Sequence, residues 1–346
     1  MTRPRPPAGP VTMRDVARVA GVSRMTVSRA MREDSPVSPD TRERIMRVVR
    51  EMNYVPDQMA GSLATKRSGF VAVLIPSLNN LHFAETVQAL TEELEGIGRQ
   101  VLLGYTGYSG AREEKLIEDM MRRRPEAIVL SYDGHSDRSV TLLTEARVPV
   151  IELWETPEEP IGHTVGFSNR EAARRMTAAL IEQGYRNLVF LGEADDVWTR
   201  GGARRAGFED GMRAAGLSPD RCLAYGRPPL SIEDGAAALP SLLARFPDVD
   251  CVFCVADAPA FGLISALREN GKRVPDDIAV AGYGNFEVAR FSSPAISTVA
   301  VDPRSVGRAT GEMIAALLSD DMEDDPRSFH CDVKAEIILR ESTEKV

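Results

Sequence analysis

Cysteine is scarce in this chain, with four in 346 residues: Cys222, Cys251, Cys254 and Cys331. They are scattered, so no disulfide framework is expected. The one C-x-x-C lies in DCVFCVAD, which reads as a buried strand with its two thiols on opposite faces. No second cysteine pair or histidine cluster stands near it, which argues against a metal site and for reduced core cysteines in a cytoplasmic protein. His82, His135, His163 and His330 are too dispersed to form a metal set or a catalytic triad by spacing. No run of 18 apolar residues is present, which excludes a membrane-spanning helix. The basic, proline-rich start TRPRPPAGP lacks the apolar stretch of a secretory signal and reads as a disordered arm. Phosphate-binding glycines are missing too. The first strand of the body ends in IPSLNN, and AGYGNFE has two glycines of a dinucleotide fingerprint without the third. Gly107 to Ala111 lacks the last glycine of a nucleophile elbow. An enzyme reading therefore has no catalytic set to stand on, and no cofactor is expected.

What the chain does have is charge, unevenly placed. Residues 1–68 carry 13 Lys/Arg against 7 Asp/Glu, while the remainder carries 29 against 44. A basic head on an acidic body is the electrostatic footprint of a nucleic-acid-binding module attached to a body that does not bind it. The head explains how. In TMRDVARVAGVSRMTVSRAM, Met13, Val16, Ala17 and Ala20 fall at helical spacing behind Thr12, a helix cap. Val27, Ala30 and Met31 repeat the stripe behind a second cap, Ser23. Gly21 stands where the chain must turn sharply, which needs a backbone free to take positive φ. This is a helix-turn-helix. Its second helix carries Arg24, Met25, Thr26, Ser28 and Arg29 on the face open to a major groove. A third helix starts at Ser38 and Pro39, with Ile45, Val48, Val49 and Met52 as its apolar stripe. The expected head core is Val16, Val27, Ile45 and Val49. The stretch from Gln58 to Lys66 is helix-capable but marginal alone, as suits a hinge.

From Phe70 onward short apolar strands alternate with helices, and the order begins again at Asn169. That pattern implies two parallel sheets covered by helices, hence two similar α/β lobes with a ligand cleft beyond the carboxyl ends of their strands. The expected division is an arm at 1–10, a helix-turn-helix domain at 11–56, a hinge at 57–68 and a bilobed body at 69–340. Lobe 1 takes about 69–167 and 300–330, and lobe 2 about 168–299 and 331–340, with crossings near Ser168, near Val299 to Asp302 and near His330.

The run VTMRDVARVAGVSRMTVSRAM, the following VSPDTRERIMRVVREMNYVP and the LAT-K hinge resemble the head of the lactose/galactose repressor (LacI/GalR) family, and the resemblance extends over essentially the whole chain. It implies an all-α head and hinge helix on a body resembling periplasmic sugar-binding proteins. Carried over by position, Arg24, Met25 and Arg29 would read bases. Thr12, Ser23, Thr26, Ser28, Ser38, Thr41 and Tyr54 would contact phosphates, although each hydroxyl is equally explained as a cap or a solvated side chain. Leu63 would wedge into the minor groove of a palindromic operator, or else pack as a linker residue on the body. Asp57 departs from the family's usual Asn and is read as capping the hinge helix.

A palindromic duplex implies a homodimer. The passages IPSLNNLHFAETVQALTEELE, VLLGYTGYS and VGFSNREAARRM are most similar to the gluconate-operon repressor branch. The resemblance then places Ser77, Asn80 and Phe83 from lobe 1, with Ser168, Arg204 and Asp257, around a sugar or sugar-acid effector. Two departures stand out, Ser168 for Asp and Ala256 for Asn, and the first, by removing a carboxylate, tilts the reading to an acid. The alternative for Arg204 is a surface ion pair with Glu209 or Asp210. A transcription repressor accounts for head, hinge and body together. A solute-binding protein of sugar transport accounts for the body alone.

Overall fold

The computed structural model describes residues 11–31, 36–55, 68–131, 134–194, 199–319 and 328–344, in two compact units, Met1–Ser68 and Gly69–Val346. Arm, Asp57, Leu63 and the expected hinge helix lie outside the described residues.

Among the described residues the head has three helices, α1 (Met13–Ala20), α2 (Arg24–Ala30) and α3 (Pro39–Glu51). Gly21 ends α1 at φ 65°, and the amide of Val22 reaches back to the carbonyl of Ala17. That left-handed residue is what turns the chain into α2. Val16, Ala17, Ala20, Val27, Ala30, Ile45 and Val48 meet in a buried core. Val48 rather than Val49 joins Ile45 on the buried face of α3, and Val49 packs at the edge. The Arg42 guanidinium donates to the Ala30 carbonyl at 2.7 Å, pinning the end of α2 to α3.

The body repeats one unit twice. Its first sheet contains β1 (Phe70–Ile75), β2 (Gln100–Tyr105), β3 (Ile128–Ser131), β4 (Val150–Leu153), β5 (His163–Gly166) and β11 (His330–Asp332), ordered β11-β5-β4-β3-β1-β2 and parallel throughout. The second contains β6 (Leu188–Gly192), β7 (Cys222–Ala224), β8 (Cys251–Cys254), β9 (Ala279–Gly284), β10 (Ser297–Val301) and β12 (Ala335–Ile338), ordered β12-β10-β9-β8-β6-β7. Only β12 runs antiparallel to its neighbour. Near-continuous Val, Ile and Leu runs fit strands buried on both faces. Cys251 and Cys254 are free and join different apolar clusters, as thiols on opposite faces of β8 must.

Strand pairing corrects the lobe limits. A chain does not change sheet within a strand, so the second crossing follows Val301, inside the expected Val299 to Asp302 stretch, and the third follows Asp332, just past His330. Lobe 2 also runs past residue 340, because Ser342 accepts the Val280 amide and its hydroxyl receives the Ser297 amide. The stretch from Ser231 to Phe246 forms two helices, Ile232–Ala237 and Leu239–Arg245, because Pro240 interrupts the amide ladder.

Two helix pairs brace the lobes: α4 (Leu81–Gly96) on α13 (Pro303–Leu317), and α7 (Asn169–Glu182) on α8 (Arg200–Ala214). Each uses a glycine at the crossing. A Cβ on Gly307 would meet the Thr86 carbonyl oxygen at 2.3 Å, and one on Gly207 the Arg170 carbonyl oxygen at 2.0 Å.

Lobe 1 also buries a charge. The His135 ring lies 2.7 Å from Glu113 Oε1 and 3.6 Å from Glu152 Oε1, all three side chains almost wholly excluded from solvent. Burial alone would depress its pKa, but the two carboxylates override it and push the value up to about 9. A folded value above the unfolded one means that the ionised ring stabilises the fold fully below about pH 6.5 and that the contribution fades as pH rises through 9. His135→Gln should therefore cost on the order of 3 kcal/mol in urea unfolding at pH 6, since it strands buried carboxylates. The gap to the parent should narrow between about pH 6.5 and 9 and change little above that.

Candidate functional site

On the head, α2 turns Val27 and Ala30 inward, leaving Arg24, Met25 and Arg29 exposed and Ser28 half-buried. Several of the expected phosphate-contacting hydroxyls are hydrogen-bonded at the helix starts. Ser23 Oγ accepts the Thr26 amide at 3.1 Å and lies 2.9 Å from the Thr26 hydroxyl. The Ser38 hydroxyl donates to Thr41, and the Thr12 hydroxyl and amide both donate to Asp15. Those bonds hold the Asp15 carboxyl below the usual carboxylate range. Exposed hydroxyls of this kind fix the helix starts, and a hydroxyl proton turned outward can be donated to a phosphate oxygen. Tyr54 is 8% exposed and packs in the head core, so it also has a structural role.

In the body, the segments leaving β1, β4, β5, β6, β8 and β9 face one another where the chain crosses between lobes. Asn80 caps α4 by accepting the His82 amide at 3.0 Å. Trp154, directly after β4, sits at φ 69°, an uncommon backbone conformation for a bulky residue that costs about 1–3 kcal/mol and swings the indole into the junction. Around it gather Phe83, Phe167, Tyr283 and Phe286. The His82 ring lies flat between two of these, 3.9 Å from Phe286 and 5.5 Å from Trp154 between centroids. Burial, with Arg204 and Arg200 close by, lowers its pKa to about 4, so this ring is neutral at physiological pH.

Two arginines of α8 enter the same place. Arg204 lies flat on Tyr283 at 3.8 Å and donates to Asn169 Oδ1 and to the Val255 carbonyl, both at 2.9 Å. Arg200 crosses from lobe 2 to the Ser131 hydroxyl of lobe 1 at 2.6 Å and lies 5.1 Å from the centre of the Phe83 ring. Asn169 is fully buried and joins three elements: its amide donates to the Trp154 carbonyl at 2.8 Å, and its oxygen receives Arg204 and the Tyr283 hydroxyl.

The cleft is divided. A central pocket of about 60 Å³ is lined by Asn80, His82, Phe83, Arg200, Arg204 and the aromatic rings. A chamber of about 570 Å³ adjoins it on the side of Glu155, Ser168 and Glu193, and a further cavity of about 670 Å³ lies on the side of Glu85, Arg290 and Lys334. Burial raises the pKa of both Glu155 and Glu193.

A helix-turn-helix head with an aromatic and arginine-rich cleft between two parallel sheets is a combination with known counterparts. Residues 12–57 match the family model for bacterial regulatory proteins of the lacI family, and residues 177–343 match that for a periplasmic binding protein-like domain. The HTH-type transcriptional regulator IdnR of Escherichia coli (strain K12) is 33% identical over 88% of this chain and 91% of its own. The chain belongs to the lacI family of transcriptional regulators. A solved LacI-family regulator from Silicibacter pomeroyi is 57% identical, with a TM-score of 0.76 over 79% of this chain and 98% of that one. A transcriptional regulator CelR–cellobiose complex is 28% identical, with a TM-score of 0.69 over 96% of this chain and 99% of that one.

Of the cleft residues expected for this LacI-family chain, Asn80, Phe83 and Arg204 line the central pocket, and Ser168 caps α7 at the chamber wall. Arg204 makes no surface pair with Glu209 or Asp210, which instead engage Arg205, Arg213 and Arg170. Ser77 and Asp257 lie behind the wall. Ser77 is buried and accepts the Asn79 amide. Asp257 is fully buried, one oxygen receiving the Thr298 hydroxyl at 2.6 Å and the other the Phe286 amide at 2.8 Å. Burial pushes its pKa up to about 6. It shapes the cleft by holding Phe286. Arg200, Trp154, His82 and Asn169 were not assigned to the cleft from the sequence. Only Asn169, a buried polar residue directly after a cap, left a signal, in SNREAAR. Asp257→Asn turns one accepting oxygen into a donor facing a buried donor, and should lower unfolding free energy by about 1–3 kcal/mol in urea melts.

Proposed function

We propose that this regulator represses transcription from a palindromic operator, which it binds as a homodimer, and that a sugar acid, gluconate or a close aldonate, enters the cleft and lowers operator affinity. The observation that carries the effector class is the convergence of Arg200 and Arg204 on one small pocket ringed by aromatic groups. Guanidinium forks match a carboxylate bidentately, and aromatic faces suit the C–H face of a polyol. The cellobiose in the CelR complex and the resemblance to the gluconate-operon branch both favour a sugar-derived ligand. On the head, exposed Arg24, Met25 and Arg29 on α2 support major-groove readout, and the capped hydroxyls support phosphate positioning. Two-fold operators call for two heads, hence the dimer.

Arg29→Ala should cost roughly 1–3 kcal/mol of discrimination at one guanine position, read as relaxed preference in operator-variant binding, with the fold unchanged by circular dichroism. Full operator affinity with unchanged preference in that variant would remove Arg29 from the reading set. For the parent, operator affinity should fall steeply as salt rises, because each phosphate contact releases counterions.

The effector is tested separately. Arg204→Ala should weaken gluconate binding on the order of 100-fold, from two charge-assisted bonds at about 1.5 kcal/mol each, and should abolish release from operator while DNA binding survives. A neutral hexose or a purine that raises the body's melting temperature when gluconate does not would overturn the sugar-acid assignment.

A further inference from the structure

The feature that this reading leaves unused is the chamber of about 570 Å³ beside the central pocket. Both lobes build it: Glu155 and Pro157 follow β4, Glu193 follows β6, and Arg200 opens α8. Arg200 lines the chamber and the central pocket alike. The two spaces differ in chemistry. The central pocket, about 60 Å³, has room for about two waters at ~30 Å³ each, and it presents guanidinium donors. That suits a carboxylate and little more. The chamber is within the range that holds a sizeable ligand, and it presents acceptors. Glu155 is 8% exposed; its Oε1 takes the amides of Thr156 and Asn169, while its buried Oε2 has no hydrogen-bond partner among the described residues. Glu193 Oε2 receives the Thr199 hydroxyl at 2.9 Å. Phe190 and Leu223 add an apolar patch for a ring face.

A buried acceptor with nothing donating to it is costly, and a ligand hydroxyl supplies the missing donor. We propose that the chamber is a second sugar subsite, and that the tightest effector is a sugar acid carrying a glycosidically linked second sugar. Its carboxylate meets Arg200 and Arg204, and its outer ring gives hydroxyls to Glu155 and Glu193. The inference rests on the sugar-acid reading of the cleft. A six-carbon acid anchored on the arginines leaves much of the chamber to water. A second ring fills it and touches both lobes at once.

Isothermal titration of the intact protein against gluconate, cellobionate, glucose and cellobiose separates the two ideas. Cellobionate should bind at least tenfold tighter than gluconate, and each acid tighter than its neutral counterpart. Glu155→Gln should bring the two acids to within threefold of each other. So should Ala224→Trp, which fills the chamber from an exposed position at the end of β7 and leaves the core intact. Gluconate binding as tightly as cellobionate would overturn the subsite and leave the acid reading standing. A tenfold advantage that persists in both variants would also overturn the subsite, by placing the second sugar elsewhere. Cellobiose matching cellobionate, with both above the single sugars, would support the subsite and remove the acid. Absence of binding by all four would overturn both.

Discussion

The cleft is organised by a single buried amide. Asn169 is fully excluded from solvent, yet three of its hydrogen-bonding positions are occupied, by the Trp154 carbonyl, the Arg204 guanidinium and the Tyr283 hydroxyl. Those partners come from the end of a lobe 1 strand, a lobe 2 helix and a lobe 2 strand. A buried polar network of this kind is stable only while every member is satisfied, because each orphaned group loses its hydration without replacement. Asn169 therefore fixes more than itself. It holds Trp154 in its left-handed backbone conformation, sets Arg204 flat on Tyr283, and stands where the chain first passes from one sheet to the other.

What surrounds that amide is a stack of flat groups with few rotamers. Trp154, His82 and Phe286 lie face to face across the junction, and Asp257 holds the amide of Phe286 from below. Planar side chains with two soft torsions lose little entropy on ordering, so a site made from them is formed before a ligand arrives. The neutral state of His82 belongs to the same arrangement. A charged ring there would face two guanidinium groups in a desolvated space, and its depressed pKa prevents that.

The head was legible almost residue by residue because its signals are local. Caps, a positive-φ glycine and a helical stripe all act within a few positions, and the structure has each of them at Ser23, Gly21 and Val16 to Ala20. The α/β order of the body was legible for the same reason. Depth was not. Spacing places Asp257 and Arg204 at the carboxyl ends of strands, but whether a side chain faces the cavity or the layer beneath depends on partners 29 and 41 residues distant in sequence for Asp257. Nor did local spacing show that Tyr54 packs in a core assembled from all three helices. Arg200 was invisible because T-R-G-G looks like a loose helix start, and its significance comes from Ser131, 69 residues earlier. The lobe limits slipped because a crossing has no composition of its own; only the pairing of β10 and β11 fixes it.

The Arg200–Ser131 bond bears on how a ligand can act. It joins the lobes through a charge and a neutral hydroxyl, a contact worth about 1.5–3 kcal/mol at most. An incoming carboxylate offers the same guanidinium a stronger, bidentate partner. The exchange replaces a direct lobe-to-lobe bond with one through the ligand, so its free energy depends on how the lobes sit. That dependence is what a regulator requires. A ligand with equal affinity for two lobe arrangements shifts nothing however tightly it binds, and inverting a 1:99 ratio needs about 5.5 kcal/mol of difference. Replacing one arginine–serine contact supplies only part of that. The remainder must come from groups that touch both lobes, and in this body those are the rings at the junction and the carboxylates of the chamber wall.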